Sequence, residues 1–216
     1  FCPSLWKYEM SEYLKELNSR QLPELIEEMR KEAQRENIPT VRNATLNMLL
    51  TLVSLKKPAR ILEIGTAYGC SGVAMLTFAK NAFLTTIEKD EKAMDTAKEN
   101  FKKAGVYDRA EFFSGDASEI IPMLGGKYDF VFLDGPKGHY AEYLPYLADL
   151  TSVGGILFAD DVMFWGYVDS DEIKRKHATI YRSLREYLDK ISKDERLLTT
   201  VIGDEDGFSV SLKVKE

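Results

Sequence analysis

From Arg60 onward, short apolar runs alternate with longer segments in which apolar residues recur every three or four positions. The short runs predict five strands, at Arg60–Ile64, Leu84–Glu88, Ala110–Phe113, Tyr128–Leu133 and Gly155–Ala159. Between them the pattern predicts helices, the clearest after Asp90, which can cap a first turn. Several strands are apolar on both faces. The alternation therefore predicts an α/β, doubly wound, mostly parallel sheet covered by helices on both sides.

The pattern changes in the C-terminal part. A long helix is predicted from the spacing of Ile173, Ile180, Leu184, Leu188 and Ile191. Two strand-like runs follow, Leu197–Ile202 and Phe208–Val214, separated only by residues 203–207. So short a connection cannot hold a crossover, and the pair is therefore predicted to be an antiparallel hairpin. With it, the predicted sheet has seven strands.

The N-terminal part predicts helices. One helix has an apolar face, with Glu and Arg opposite, made of Leu22, Leu25, Ile26, Met29 and Ala33. A break at Asn37-Ile38-Pro39 precedes a second apolar helix from Ala44 to Leu55. We expect residues 1–57 to be a lid or dimerisation segment within one domain of residues 1–216. Apolar positions beyond what the sheet can cover predict a homodimer.

Composition narrows the class of protein. The 216 residues are 44% hydrophobic and 30% charged, as in ordinary globular proteins. No apolar run approaches the roughly 18 residues of a membrane helix. Two cysteines are too few for a disulfide framework, and no signal peptide opens the chain, so we expect a cytoplasmic protein that does not bind membranes. A net charge of −6 argues against a broad, non-specific grip on nucleic acid.

A glycine-containing turn follows the first predicted strand. Gly65 and Gly69 permit a tight strand-to-helix turn, but the middle glycine of a dinucleotide-binding G-x-G-x-x-G motif is missing. Glu63, beside the turn, would repel phosphate groups and suits a positively charged ligand. The turn therefore argues against a dehydrogenase and for a ligand without phosphates.

Acidic residues stand at the ends of the next two strands. Glu88 is placed to accept hydrogen bonds from both hydroxyls of a ribose, and Asp116-Ala117 can meet an adenine edge. A nucleoside with a positive centre and no phosphate describes S-adenosylmethionine (SAM). The ordered set of turn, Glu88 and Asp116 therefore predicts SAM as the cofactor.

Two further strand ends carry acids, Asp134 and the pair Asp160-Asp161. Converging carboxylates repel one another unless a cation lies among them, and hard oxygen ligands suit Mg²⁺, Mn²⁺ or Ca²⁺. The alternative is that Asp160 or Asp161 merely caps the following segment. Lys137 could accept a proton from an acceptor hydroxyl if its pKa were depressed; otherwise it is a solvated surface lysine.

The chain from about Ile38 onward resembles the class I SAM-dependent methyltransferases. Among them it is most similar to the metal-dependent O-methyltransferases, which include catechol and caffeoyl-CoA enzymes, and especially to small bacterial members. The resemblance implies a Rossmann-like fold and methyl transfer to a metal-activated hydroxyl. It also implies cofactor contacts at Val41, Glu63, Gly65, Ser71, Glu88, Ala117 and Asp134. Metal ligands are implied at Asp134, Asp160 and Asp161, and catalytic roles at Lys137 and Asp134. Val41 and Asp161 depart from the family's usual methionine and asparagine.

The acceptor is left open between two classes. Some bacterial relatives methylate 5-hydroxyuridine at the tRNA wobble position, and this likeness slightly favours tRNA. A basic face that an anticodon loop could use is formed by Lys174, Arg175, Lys176, His177, Arg182 and Arg185. The alternative is a small catechol-like or caffeoyl-type acceptor. A non-catalytic SAM-binding scaffold is the alternative from another class of protein.

Aromatic residues near the acids could contact a flat substrate. Phe164, Trp165 and Tyr167 are equally consistent with substrate stacking and with a core or dimer contact. His139 and Tyr140 are predicted to line the pocket.

Overall fold

The computed structural model describes residues 12–19, 22–164, 166, 168, 177–203 and 206–216. Some predictions lie outside these residues: those for Trp165, Tyr167, Ile173 and the basic run 174–176.

Within the described residues, seven strands form one sheet in the order β3-β2-β1-β4-β5-β7-β6. They are β1 (Arg60–Ile64), β2 (Phe83–Glu88), β3 (Ala110–Ser114), β4 (Tyr128–Leu133), β5 (Thr151–Asp160), β6 (Leu197–Ile202) and β7 (Phe208–Lys213). The strands β1 to β5 pair in parallel, whereas β7 is antiparallel to both β5 and β6. The predicted doubly wound sheet with an antiparallel hairpin is confirmed.

The helices flank this sheet. They are α1 (Glu12–Asn18), α2 (Glu24–Arg35), α3 (Asn43–Lys56), α4 (Cys70–Phe78), α5 (Glu91–Lys103), α6 (Ala117–Ile120), α7 (Tyr140–Leu150) and α8 (Ala178–Lys193). The side chain of Asp90 accepts a hydrogen bond from the backbone N–H of Ala93, which confirms it as the cap of α5. The order of strands reverses between β1 and β4, so a ligand crevice is expected beyond their carboxyl ends.

The fifth strand is longer than predicted. It begins at Thr151, four residues before the predicted start at Gly155, and Thr151 pairs with Tyr128 of β4. The register shifts after this pair, and Gly154 has a positive φ of 77°. Two adjacent glycines interrupt the apolar pattern here, so the sequence signal begins only after the irregularity.

Helix α2 buries its apolar face inside the chain. Ile26 and Met29 of α2 belong to one of two hydrophobic clusters, in which they pack with α3, α4 and one face of the sheet. Ala33 of the same helix face is 0% exposed. Leu22 and Leu25 are partly buried against the same cluster. The expectation that this face is left over for a dimer is therefore wrong, and the homodimer stays a prediction without that support.

Arg30 also differs from the sequence prediction, because it was assigned to the charged face of α2 and is buried in the structure.

No helix among the described residues is long and apolar enough to cross a membrane.

Candidate active site

The turn after β1 brings two strand ends into backbone contact. Gly65 has a φ of 99°, and a Cβ atom built on it would lie 2.2 Å from the main-chain oxygen of Asp134. The backbone N–H of Asp134 in turn donates to the oxygen of Ile64 at 2.9 Å. Gly69 is the N-cap residue of α4 with a φ of 80°, and its missing side chain leaves room for the ring of Phe101. Only glycine fits at position 65, because any side chain would displace the Asp134 backbone.

Glu63 lies beneath this turn. Its side chain is 0% exposed, and its carboxylate accepts hydrogen bonds from Ser71 Oγ at 2.6 Å and Thr86 Oγ1 at 2.7 Å. Burial raises the pKa of Glu63 to about 7, although both hydroxyls oppose the shift. The hydrogen bond between Ser71 and Glu63 therefore lies beneath the turn and stabilises it. The structure does not bring the Glu63 carboxylate to the surface of a cavity.

A cavity of about 430 Å³ opens at the carboxyl ends of β1 and β4. We call it the main cavity. Seven of the predicted site residues line it, namely Gly65, Glu88, Asp116, Ala117, Asp134, Lys137 and Asp161. The glycine turn thus shares one space with Asp134, Lys137 and Asp161, whereas Asp160 does not line this cavity.

Glu88 ends β2 at the wall of the main cavity. Its carboxylate accepts three backbone hydrogen bonds, from Ala67 at 2.9 Å, Lys89 at 2.8 Å and Asp90 at 2.9 Å. A carboxylate offers about four lone-pair positions, so one remains for a ribose hydroxyl in this arrangement. A second ribose bond would replace one of the backbone bonds.

Asp116 is the N-cap residue of α6, and both of its carboxylate oxygens already accept hydrogen bonds. One carboxylate oxygen accepts from the backbone and hydroxyl of Ser118, and the other accepts from Lys89 Nζ at 2.7 Å. The bond from Lys89, followed by those from Ser118, holds the pKa of Asp116 well below its usual range. Ala117 follows as the first residue of α6.

Val41 lies in a smaller space next to the turn. This side cavity of about 30 Å³ is lined by residues of the segment 65–71 and by Arg30, Val41 and Asp134, among others. Pro39, Gly65, Ala67 and Asp134 line both cavities. The side cavity is therefore an extension of the main cavity behind the glycine turn.

Lys137 lies between two of the predicted acids. Its Nζ atom is 2.6 Å from Asp134 Oδ1, 3.3 Å from Asp161 Oδ2 and 3.0 Å from the hydroxyl of Tyr140. Burial lowers the pKa of Lys137, but Asp134, Tyr140 and Asp161 outweigh burial and raise that pKa well above its usual value. The condition that would make Lys137 a base, a depressed pKa, is therefore not met in this arrangement.

Asp160 is the deepest of the three acids. It is 3% exposed at the end of β5, and burial, followed by Asp134 and Asp161, raises its pKa to about 8. Burial also raises the pKa of Asp134, while Lys137 opposes that change. Asp134 and Asp161 both contact Lys137 Nζ, and the backbone N–H of Asp161 donates to Asp160 Oδ1 at 2.8 Å, so the three acids are neighbours.

The residues after Asp160 are held by the hairpin. The backbone N–H groups of Val162 and Met163 donate to the main-chain oxygens of Gly207 at 3.0 Å and Asp206 at 2.7 Å. Asp206 also forms an ion pair with Arg42, next to Val41. Residues at the start of α3 and at the start of β7 therefore meet beside the acids.

The donor chemistry of the acid cluster fits a hard divalent cation, since all three side chains are carboxylates. Their present geometry is not that of a metal centre. Among the residues that the structure describes, no three acidic, histidine or cysteine side chains are arranged to hold a metal ion. In this structure the positive charge among the acids is the ammonium group of Lys137.

Comparison with known proteins decides the family. The sequence profile of a family described as O-methyltransferase matches residues 11–214. The chain belongs to this O-methyltransferase family. A caffeoyl-CoA O-methyltransferase of Medicago sativa is 31% identical over 188 residues, which are 79% of this chain and 72% of that enzyme. A catechol O-methyltransferase of Niastella koreensis is 34% identical over 125 residues, 56% of this chain and 57% of that enzyme.

Solved structures of methyltransferases have the same fold as this chain. An SAH-bound methyltransferase of Podospora anserina superposes with a TM-score of 0.82 at 25% identity, covering 94% of this chain and 93% of that one. Across the curated relatives compared, the matched regions span 57 to 85% of the relatives' own lengths. The chain is thus an O-methyltransferase that uses SAM, and the glycine turn at the main cavity is where the cofactor site is predicted.

One residue of this O-methyltransferase has a position that the sequence did not indicate. Tyr140 is fully buried and does not line the main cavity, contrary to expectation. Its hydroxyl lies 3.1 Å from the main-chain oxygens of both Leu133 and Asp160 and accepts from Lys137 Nζ. The three-residue spacing from Lys137 was the available signal, because such pairs share a helix face.

The remaining predicted residues lie in three different places: at the main cavity, in the core and on the surface of α8. His139 lines the main cavity as predicted, hydrogen-bonds Glu142 at 2.8 Å and stacks on Tyr143. Phe164 is buried in the core and meets His177 edge to face, which supports the core interpretation for this aromatic residue. Arg182 and Arg185 are exposed on α8, where Arg185 donates to the main-chain oxygen of Val168.

Proposed function

We propose that this enzyme methylates one hydroxyl of a small aromatic acceptor that carries two neighbouring oxygens, with a divalent cation as a second cofactor. The observation that carries the proposal is that Asp134 and Asp161 both contact the Lys137 ammonium group, while Asp160 accepts a hydrogen bond from the backbone N–H of Asp161. Two of these acids line the same cavity as the glycine turn. A methyl donor on the turn would therefore face an oxygen held at the acids.

Asp134, Asp160 and Asp161 would hold the cation. When bound, such an ion lowers the pKa of a coordinated hydroxyl and helps to orient it. Lys137 is fixed by Asp134 and Tyr140 at the wall of the cavity. The neighbouring carboxylates raise the pKa of Lys137. If a bound cation neutralised their charge, the effect of burial would remain, and burial lowers that pKa. Lys137 could then accept the proton of the acceptor hydroxyl.

The names of the relatives favour a small acceptor over tRNA. Two of them are named for caffeoyl-CoA and catechol, molecules with neighbouring aromatic oxygens. The basic face predicted for tRNA is only partly described, and in the described part Arg185 is engaged by Val168 and by the ring of Tyr181. A tRNA acceptor is therefore the second arm of the test.

The test measures methyl transfer from labelled SAM to catechol, to caffeoyl-CoA and to an anticodon stem-loop containing 5-hydroxyuridine. We expect transfer to a small acceptor, loss of transfer in excess EDTA and recovery with Mg²⁺ or Mn²⁺. Asp160→Asn should abolish transfer while SAH affinity measured by calorimetry stays within about twofold, because Asp160 does not line the main cavity. Transfer to the stem-loop alone would refute the acceptor class, and full activity in EDTA would refute the cation.

A further inference from the structure

Arg30 is a buried cation whose partner is neutral. It is 7% exposed on α2, and its Nη2 atom donates to Asn43 Oδ1 at 2.8 Å. Among the described residues it forms no ion pair with a carboxylate. A guanidinium group has five N–H donors, and a buried charge without a counter-charge is costly. Arg30 is therefore positioned to bind an anion that the protein itself does not supply.

The side cavity is the space that Arg30 faces. Arg30 lines it together with Gly65, Cys70 and Ser71, at the glycine turn and the first turn of α4. Burial raises the pKa of the Cys70 thiol to about 11, and the charge of Arg30 is the largest effect that opposes this. The positive charge of Arg30 therefore acts at the first turn of α4, where the side cavity lies.

The methionyl end of SAM has the complementary charges. It carries a carboxylate and an ammonium group on one carbon, so its site needs both a positive and a negative partner. The first N–H groups of α4 have no partner within the helix and favour an anion, and Arg30 adds a full positive charge nearby. Asp134, which lines both cavities, is a negative partner for the ammonium group.

We infer that Arg30 binds the carboxylate of the methionyl group of SAM. The inference rests on SAM binding, and not on the proposed acceptor or cation. It gives α2 a direct part in recognising the cofactor. It also predicts that the enzyme distinguishes SAM and SAH from nucleosides that lack the carboxylate.

The test compares ligands with and without this carboxylate. Calorimetry would measure the Kd of SAH, of decarboxylated SAM and of 5′-methylthioadenosine for the wild-type protein and for Arg30→Met. We expect Arg30→Met to weaken SAH by about tenfold or more, since a charge-assisted hydrogen bond is lost. The two ligands without a carboxylate should change by less than about twofold, because they make no use of Arg30.

Arg35→Met is the matched control, because Arg35 is exposed on the same helix and lines neither cavity. It should leave all three Kd values unchanged, and Arg30→Lys should restore part of the SAH affinity. If Arg30→Met weakened all three ligands equally, Arg30 would have a structural role only and the inference would be wrong.

Should Arg30→Met fail to fold, the wild-type protein still decides. Equal affinity for SAH and 5′-methylthioadenosine would then overturn the inference, and a strong preference for SAH that is lost in Arg30→Gln would support it. Because every readout is cofactor binding, failure of the proposed acceptor or cation leaves this test unaffected.

Discussion

The Nζ atom of Lys137 lies 2.6 Å from a carboxylate oxygen of Asp134, in a pair that is mostly shielded from water. Lys137 and Asp134 are three residues apart, and Lys137 is the first residue of a short helical turn, Lys137–His139. The positive charge that the acid cluster requires is thus supplied by the chain itself in this arrangement.

Replacing Lys137 with methionine should slow methyl transfer by about 100-fold or more, the usual effect of removing a group that moves a proton. SAH affinity should remain within a few-fold, because the glycine turn is untouched. Single-turnover kinetics and calorimetry separate the two effects. Lys102→Met, on the exposed face of α5, is the control and should change neither. Unchanged turnover in Lys137→Met would exclude a role in proton transfer.

Tyr140→Phe should reduce turnover at nearly constant SAH affinity, because the hydroxyl positions Lys137 and lies between the ends of β4 and β5. Urea unfolding should show a loss of about 1–3 kcal/mol from the unpaired buried groups.

Tyr187→Phe is the matched control for that variant. Its hydroxyl is also buried but bonds Ser209, and its ring contacts Tyr140 edge to face. It should lose a similar free energy of unfolding without the loss of turnover. Equal kinetic effects in both variants would mean that Tyr140 acts only through stability.

Gly65→Ala should abolish measurable SAM binding. The added Cβ atom would lie 2.2 Å from the Asp134 oxygen, and the φ of 99° is unfavourable for alanine. Gly105→Ala is the control, because its φ of 67° is also positive but no atom lies within 4 Å of the new Cβ. That variant should cost about 1 kcal/mol of stability and bind SAH normally. Normal binding by Gly65→Ala would refute the close approach.

Glu63 should make the fold less stable as pH rises. Its pKa is about 7 in the folded chain and 4.5 when exposed, so the folded state binds the proton more tightly. The stabilisation is complete below pH 4.5 and is lost as pH rises through 7. The shift corresponds to about 3 kcal/mol.

Glu63→Gln removes this titration, so its free energy of unfolding should fall less than that of the wild type between pH 5 and pH 8. Urea unfolding across that range measures the difference, with Glu99→Gln on the surface as the control. Parallel curves for Glu63→Gln and the wild type would contradict the raised pKa.

Three strands, β1, β4 and β6, begin and end at the residues that the sequence predicted. Buried parallel strands such as β1 and β4 are apolar on both faces, and this pattern does not depend on distant contacts. The start of β5 was wrong because its first residues include two glycines and a register shift, which carry no strand signal.

At the site, the sequence predicted that Asp134 and Asp161 would line one crevice, because the carboxyl ends of parallel strands meet at one edge. It did not predict which polar side chains near the site are buried or which of them form hydrogen bonds with one another. Glu63 and Ser71 pair with each other, and Arg30 is buried although it belongs to a charged helix face. Such orientations depend on how α2 packs against α4 and the sheet, and the spacing of residues along one helix does not contain that information.

The bonds from Val162 and Met163 to Gly207 and Asp206 set an order of events during synthesis. The glycine turn and its neighbouring strands leave the ribosome first. Asp206 and Gly207, which bond the residues after Asp160, emerge only after α8 and β6. Contacts between parts so far apart along the chain also form slowly. A nascent chain can therefore form the glycine turn and place Asp134 while Asp160 and Asp161 still lack these neighbouring bonds, so we expect competence for methyl transfer to be acquired late.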